Sequence, residues 1–590
     1  MKQLIFIFLI IKLSFYNGQT IPADRVYDWQ SFGLKDTSTL NFNSVDLNNF
    51  SLSSDGLQSN DIIIDSLITI YSSAGAQGVI FNFPEGVFLF NKSIVLPSNV
   101  VLKGSGVENT ILKFNLNGAG HCINISGGSS NDTTAILESA IKDTNVLIIA
   151  NSTGFIAGDW IRIIQSDTDL VNNSWAENTV GQIVEIQSVN GNQIILESSL
   201  RMSYDINRTP FIKKIVPVSH VGIECLKIIR EDVSDKQMSN IKFSRAVNCW
   251  ISGLESDKCN FSHIDAEYSS NISINKSYFH DAHSYGNGGK AYGVVLHFTT
   301  NECFIEDNIF EHLRHSMLLQ AGANGNVFTY NYSFDPNWSD VSFFIPTNSA
   351  GELVLHGNWP YANLFEQNIV DNIVIDNSHG ANGTHNTFFR NRANGYGIFF
   401  NDASSPSQNF VGNEVTNGSL PSPYNQFSYN ILGVDQFVYG NNNLGTIDPL
   451  GTNNLQDISY AYSAAPEYIP LKDWASIGPP NNLNYGNIPS FDRYKFGVIF
   501  GNSCGQNLTS SSHGFKYIIK ASPNPFKKYF NIKSELPFSL TIYNLFGEEI
   551  YSKNEALTFH IINGELWPVG VYLVKLFNST RTTTLKLIKN

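Results

Sequence analysis

One short phrase returns six times between Asn271 and Asn413: an apolar residue, two variable residues, then a small polar one. It reads Ile274-x-x-Ser277, Ile305-x-x-Asn308, Phe328-x-x-Asn331, Phe365-x-x-Asn368, Phe388-x-x-Asn391 and Phe410-x-x-Asn413. The anchors lie 31, 23, 37, 23 and 22 residues apart, so the period is 22–23 with extra residues inserted twice. A period in the low twenties marks a stacked repeat, because no single unit can bury its own apolar side. Local alternation, as in Asn363-Leu364-Phe365-Glu366-Gln367-Asn368, has the two-residue period of strands. The expected fold is all-β, a right-handed parallel β-helix in which the Ile and Phe anchors stack into an internal ladder. The Ser and Asn residues fall at turns, where Asn tolerates left-handed backbone and can hydrogen-bond along the stack. Abundant Asn and Gly within each unit argue against a helical solenoid.

The chain has 590 residues, 42% of them hydrophobic, which is enough for a long core, and solenoids grow without splitting. Its formal charge is 37 − 51 = −14, which disfavours nucleic acid and anionic membranes as partners and leaves an acidic polymer to be gripped by local cations. The six cysteines, Cys122, Cys225, Cys249, Cys259, Cys303 and Cys504, show no CxxC spacing and several sit on strand-like phrases. They read as buried small apolar residues, with a Cys249–Cys259 disulfide open as a pairing.

Residues 1–18 combine Lys2 with the apolar run Leu4–Ile11. That is too short to span a bilayer and reads as a cleaved export signal, and no other long apolar run is present. Residues 19–130 hold Trp29-x-x-Phe32-Gly33, an apolar segment around Ile62–Tyr71, and strands broken at Pro84-Glu85-Gly86 and Pro97-Ser98-Asn99. The run from Gly78 to Gly106 resembles the opening of the pectate-lyase-like β-helix superfamily, in which a capping helix precedes "fPxGxY … LpsnvxLxGxG". Phe88 takes the tyrosine position, and the family's "DGxxDDT" stretch is matched only loosely near Asp61–Asp65. The resemblance implies the fold rather than the reaction, since this fold hosts lyases, hydrolases, epimerases and phage adhesins.

Residues 131–218 interrupt the coils with alternating strands around Phe155–Ile163, Gly181–Ile186 and Ile194–Leu196. They are expected to form a small β-barrel-like insertion with a structural role. Residues 219–500 carry the main helix, with Tyr424–Phe496 expected to finish and cap it. A linker over 501–516 leads to 517–590. There Ser522-Pro523-Asn524-Pro525-Phe526, Leu540–Ile550, Pro568–Lys575 and Lys586–Lys589 follow in order. These phrases resemble the C-terminal type A sorting domain of the type IX secretion system of Bacteroidetes. The resemblance implies a β-sandwich, passage through the secretion machinery to the outer surface or medium, and removal of the domain. The mature chain is expected to be a monomer without a transmembrane span.

Coil alignment sets candidate site residues side by side. Three residues past the turn Ser/Asn come His280, Glu311, Asp371 and Asn394, with Phe334 interrupting. Gly322-Ala323-Asn324-Gly325 and Gly380-Ala381-Asn382-Gly383 repeat one tetrapeptide on two coils, which makes Gln320, His356 with Asn358, and His379 neighbours. Around them lie His283, Tyr285, Lys290, Tyr292, His312, Arg314, His315 and Arg390. Eight of the 13 histidines fall within Asn271–Asn391. Trp338, Phe343, Phe344, Trp359 and Tyr361 offer an aromatic wall for sugar rings.

These residue types suit β-elimination on a uronic-acid polymer, which needs a base for the C5 proton, a cation for the enolate and an acid for the leaving oxygen. His356 or His379 would be the base, with Lys290 as rival, and Tyr285 or Tyr292 the acid. Arg314, Asn324 and Asn382 would stabilise charge. Hydrolysis needs paired carboxylates. Glu311 with Asp371 leads there, and Glu352, Glu366 and Asp376 are further candidates. The signature of polygalacturonase-type hydrolases is missing as a set, and Ser378-His379-Gly380 is its only echo. A non-catalytic glycan-binding adhesin is the third class. His280-x-x-His283 and His312-x-x-His315 have zinc-like spacing that does not converge on a strand. Calcium bridging a substrate carboxylate would suit the lyase resemblance.

Overall fold

In the computed structural model, residues 20–35, 41–72, 78–285, 288–337, 351–417, 428–469, 471, 474–500, 504, 520–522, 526–544, 548–577 and 582–589 are described. The export-signal segment and Trp338, Phe343 and Phe344 lie outside them. One unit comprises residues 1–494 and 499–507, and the other residues 495–498 and 508–590.

In the first unit the helix Asp61–Ser72 packs Ile64, Leu67 and Ile68 into the core beside the opening strands. Parallel coils then stack. The anchors pair in register, Ile274 with Ile305, Ile305 with Phe328, Phe328 with Phe365, Phe365 with Phe388 and Phe388 with Phe410. All six are fully buried. The last four rings stack face to face, at 5.4, 4.9 and 4.8 Å between centroids. This is the parallel β-helix that the period predicts, with each coil contributing three strands that face one interior.

The turn asparagines run through that interior. Oδ1 of Asn331, Asn368, Asn391, Asn413 and Asn441 accepts both the backbone N–H and the Nδ2–H of the ladder Asn one coil earlier. Each Nδ2 also donates to an anchor carbonyl, as Asn368 does to Phe328 at 2.9 Å. The left-handed backbone falls one residue earlier than the sequence suggested, on Asp307, Tyr330, Gln367 and Arg390, with φ between 51° and 55°. That residue turns the chain, which leaves the Asn free to point inward and satisfy buried backbone groups. A second amide ladder, through Asn326, Asn363, Asn386 and Gln408, lines the opposite corner.

The insertion is a six-stranded antiparallel sheet spanning Gly128–Val216, and the bridge between Ile136 and Ile149 closes it on itself around its own core. It docks on the coil corner after the third strands. Tyr361 Oη and Asn324 Nδ2 both donate to the Gly181 carbonyl, at 2.8 and 2.9 Å. Arg201 bridges Asn324 and Glu302, and Ile183 N donates to Asn301 Oδ1. The glycine of the repeated tetrapeptide is needed for this approach. A Cβ on Gly322 would stand 2.1 Å from the Thr179 carbonyl oxygen, and one on Gly380 would stand 2.4 Å from Asn172 Cγ.

The segment expected to cap the helix does so only in its first part, where Thr446–Asp448 pairs antiparallel with Asn441–Asn443. The rest runs back along the flank. Glu366 accepts from Ser459 Oγ, Tyr460 N and Ala461 N, Glu414 accepts from Gly478 N, and Arg493 pairs with Asp307. Carboxylates and guanidiniums on the helix thus hold the returning chain by its backbone. Cys225 and Cys504 form the disulfide there, whereas Cys249 and Cys259 are separate buried thiols on interior positions of neighbouring strands. The expected pairing is corrected accordingly.

The second unit is an antiparallel sheet of Lys520–Ser522, Tyr529–Asn544, Glu549–Asn563, Gly570–Phe577 and Thr582–Lys589. Its core includes Phe526, Phe530, Ile542, Tyr572, Val574 and Leu587.

The ladder makes a quantitative prediction. Asn368→Ala removes one acceptor and two donors from the interior, and each buried group left unpaired costs about 1–3 kcal/mol. Chemical denaturation should show a loss on the order of 3 kcal/mol, against about 1 kcal/mol or less for an exposed control such as Asn192→Ala.

Candidate active site

The third strands of successive coils pair Leu296 with Leu319, Leu319 with Leu355, Leu355 with Ile375 and Ile375 with Phe400, all facing the core. Side chains alternate along a strand, so the next residue in each coil faces out. Those residues are His297, Gln320, His356, Asp376 and Asn401, preceded by Glu267, which pairs with His297. The fold therefore sets a polar row along its axis, with rungs about 4.8 Å apart.

The row is internally bonded. His297 Nε2 lies 2.8 Å from Asp265 Oδ1, and its Nδ1 lies 3.4 Å from Gln320 Nε2. His356 Nδ1 contacts Asp376 Oδ2. Asp376 also accepts from Ser378 N at 2.9 Å, Ser378 Oγ at 2.7 Å and Asn401 Nδ2 at 2.8 Å. Burial alone would raise this carboxyl's pKa. The opposing pull of His356 and Ser378 is larger and holds it well below the usual carboxylate range. An ionised carboxylate only accepts, so Nδ1 is the His356 nitrogen that would donate to it, which in a neutral imidazole makes Nε2 the acceptor.

Further groups converge on this pair. The His379 ring lies 4.8 Å from His356, and burial followed by the charge of His356 lowers its pKa. The buried His315 ring lies 5.3 Å from His356 and 4.9 Å from Tyr292. Burial, His356 and Arg314 drive the His315 pKa well below its ordinary value. His315 Nε2 and Arg314 Nε and Nη1 are buried without a hydrogen-bond partner. A buried guanidinium with open donors is costly unless an anion meets it.

Of the residues proposed from sequence, His356, His379, His315, Gln320 and Arg314 gather here. Tyr292 touches His315 by its ring, but the residue is 4% exposed and its hydroxyl accepts from Gly289 N. Tyr285 likewise has its hydroxyl engaged, by Ala282 N, and Lys290 pairs with Asp235. Asn324, Asn358, Trp359 and Tyr361 serve the insertion. Asn358 accepts from Asn172 N and donates to Asn173 Oδ1, and Trp359 packs with Tyr361 and Val171. Asn382 is fully buried between Gly357 N, the Asp376 carbonyl and Ser405. Arg390, 2% exposed, donates to the carbonyls of Asp457 and Ile477 in the returning chain. In each case the polar group already has a partner in the chain: the insertion for Asn324, Asn358 and Tyr361, the tail for Arg390, and nearby coil residues for Tyr292, Tyr285, Lys290 and Asn382. The row also holds His297, Asp265 and the His356–Asp376 contact, none of which was singled out in advance. The signal was in the sequence, since each row residue follows a coil's last paired Leu, Ile or Phe.

A second outward row crosses the neighbouring sheet, where His280 pairs with Glu311 and Glu311 with Phe334. His280 contacts Asp281 and Glu255, at 2.9 and 3.3 Å, and Tyr278 Oη donates to Glu311. His283 meets the Arg230 carbonyl and His312 meets Asp335. Asp371, on the same face, is pushed up to about 6 by burial and by Asp335. Glu352 is fully buried inside the coil on Ser333 and is no partner for it across a substrate. Glu366 is likewise sequestered by the tail. Asp257, His280 and Asp281 offer atoms within 4.8 Å of one another, but Lys227 already lies 3.8 Å from Asp257 and 2.6 Å from Glu255. A cation there would have to displace Lys227.

Residues 44–216 match the family described as Rhamnogalacturonase A/epimerase, pectate lyase-like, and residues 520–590 match the Secretion system C-terminal sorting domain. The chain thus combines a parallel β-helix, a pectate-lyase-like segment over residues 44–216 and a C-terminal sorting domain. That domain marks it for secretion to the cell surface or beyond. Among the described residues, no helix is long and apolar enough to cross a membrane. Similar solved structures include the tailspike gp61 of Pseudomonas phage phi297, at 14% identity and TM-score 0.50 over 68% of this chain and 75% of that one. The tailspike gp49 of Pseudomonas phage LKA1 matches at 15% and 0.48 over the same shares. The exopolygalacturonase of Thermotoga maritima matches at 13% and 0.33, over 69% and 89%. At these identities the likeness is one of fold. Comparison with curated proteins by sequence gives no match.

The buried carboxyls predict how stability varies with pH. Burial lifts Glu366 to about 7 in the folded chain. A carboxyl raised on folding binds more protons in the native state, so stability falls as pH rises through its folded pKa. Denaturation at pH 5 and pH 8 should show the wild-type chain losing on the order of 2–3 kcal/mol more than Glu366→Gln across that interval.

Proposed function

We propose that this protein acts outside the cell on a polysaccharide containing uronic acid and cleaves it by β-elimination. The observation that carries the reading is the Asp376–His356 pair with the His315 ring 5.3 Å from His356; His315 is next in the chain to Arg314, whose buried guanidinium keeps donors without a partner. The proton on C5 of a uronate is acidified when its carboxylate is met by a cation, which stabilises the enolate formed on abstraction. Arg314 supplies that cation. His356 Nε2 takes the proton, and Asp376 holds the imidazole in the tautomer needed and stabilises the imidazolium. The electron pair forms the C4–C5 double bond and the bond from C4 to the leaving oxygen breaks. The His356 imidazolium returns its proton to that oxygen, which balances the step. His379 and His315, whose pKa values burial lowers first of all, add polar contacts without competing for the proton. The pectate-lyase-like match and the sorting domain agree with a secreted enzyme of this kind.

Hydrolysis is the second reading, favoured by one observation: Asp371, lifted to about 6, could act as a general acid. Its partner would be Glu311, two rungs away at about 10 Å, just beyond the spacing of inverting glycosidases.

The assay that separates them follows absorbance near ~235 nm, where the unsaturated uronate absorbs, and new reducing ends, over a panel of uronic-acid and neutral polysaccharides. Elimination predicts that both signals rise together on a uronan. His356→Gln should lose about 10²–10⁴-fold in kcat, and Asp376→Asn at least about 10-fold. Arg314→Gln should reduce kcat/KM by about 10²-fold. Reducing ends without absorbance, abolished by Glu311→Gln or Asp371→Asn, would replace this mechanism with hydrolysis. Binding without either signal would make the protein a glycan-binding module.

A further inference from the structure

The inserted barrel sends one large aromatic side chain toward the polar row. Trp175 sits in the turn Ser174–Ala176 and remains 45% exposed. Its ring lies 5.5 Å from His379 and 5.8 Å from Phe298, both in edge-to-face geometry at 80° and 88°. It therefore spans from the coil of His297 to that of His379, over the stretch of the row where Gln320 and His356 lie.

A single exposed tryptophan is ordinary on a protein surface. Trp175 differs in how firmly its turn is fixed. On one side Asn172 and Asn173 clasp the buried Asn358. On the other, Asp167 accepts from Asn178 N at 2.7 Å and Val180 N at 2.9 Å, and Thr299 Oγ1 donates to the Thr179 carbonyl. Both flanks are anchored to buried groups while the indole between them is left open, which is how a preorganised aromatic contact is built.

The aromatic line continues away from His379. Phe298 stacks on Tyr268 at 5.5 Å and 16° between planes, and the Arg162 and Arg245 guanidiniums lie 4.7 and 5.2 Å from the Tyr268 ring. Arg162 Nε is buried without a hydrogen-bond partner, and neither arginine forms an ion pair among the described residues. From Tyr268 to His379 the line crosses four rungs, parallel to the row from Glu267 to Asp376. Sugar rings present apolar faces to such a line, and carboxylates suit arginines at its end.

We propose that Trp175 is a sugar-stacking platform lent to the active site by the inserted barrel, and that with Arg162 it selects for extended uronic-acid chains. This rests on the functional reading above. Trp175 is a specificity residue and takes no part in proton transfer. A glycan that stops at the His356–Asp376 pair gains little from it, whereas one that extends toward Tyr268 covers the indole and brings a carboxylate to Arg162.

The test uses the full chain and the uronan cleaved fastest in the panel, cut to oligomers of two to six residues. Trp175→Ala should raise KM for the hexamer at least about 10-fold, change the dimer's by less than about 2-fold, and leave kcat within about 3-fold. Trp175→Tyr should restore most of the hexamer affinity. Arg162→Gln should weaken the longest oligomers only. In the His356→Gln background, the hexamer should quench tryptophan fluorescence, and Trp175→Phe should remove that quench while binding persists. Equal effects of Trp175→Ala on all lengths, or a fall in kcat shared by Trp175→Tyr, would overturn the platform and leave the elimination mechanism standing. A panel with no uronan bound or cleaved would overturn both.

Discussion

Hydrogen bonding by buried amides is the constraint on which the rest of this molecule depends. A parallel coil must turn its backbone sharply three times per rung, and each turn leaves peptide groups pointing into an apolar interior where they cannot be left unpaired. Asn supplies an acceptor and two donors in the length of one side chain. Stacked at the rung spacing, each Asn serves its neighbour and the neighbour's turn together. The left-handed residue just before it aims the side chain inward. Once that ladder is fixed, strand register is fixed too, and a one-residue slip would expel every Phe anchor from the core. The rows on the outer faces inherit their alignment from this interior ladder. The His356–Asp376 contact depends on that inheritance, since the two residues are 20 apart in sequence and meet only because their rungs are in register.

The inserted barrel gives the corner residues a purpose that a bare solenoid would not. Corner loops of a β-helix are the natural place to look for substrate contacts, because loops carry function on a rigid scaffold. Here Asn324, Asn358 and Tyr361 spend their polar atoms on the barrel's backbone. The barrel then stands beside the open row as one wall of the site. A surface that looked like the binding face is the foundation of that wall.

This explains how much could be seen in advance. The period, the anchors, the strands and the sorting domain are local patterns, so the sequence displays them directly. The clustering of His356 and His379 was also legible, because coil alignment is arithmetic once the period is known. What arithmetic could not show was occupancy. Asn382 and Arg390 carry the chemistry of binding residues, but whether a polar side chain faces solvent or a returning segment is decided by chain 60 to 90 residues away, as Arg390 shows with Asp457 and Ile477. The left-handed position was misplaced by one residue for a related reason. Asn does favour that conformation, but the ladder needs its side chain inside, and tertiary hydrogen bonding overrides the local preference.

Charge supplies the last step. The whole chain carries −14, which repels a polyanion at long range. Such a protein can bind an acidic glycan only where cations are concentrated and partly desolvated, so that short-range attraction exceeds the screened repulsion of the surface. Most basic groups here are already neutralised by carboxylates, as Lys242 is by Asp265 and Glu267, and Arg392 by Glu414. Arg314, Arg162 and Arg245 form no ion pair among the described residues, and the first two keep buried donors without a partner. Under the elimination proposal, a uronic-acid chain would be met by such guanidiniums rather than by the net field of the protein.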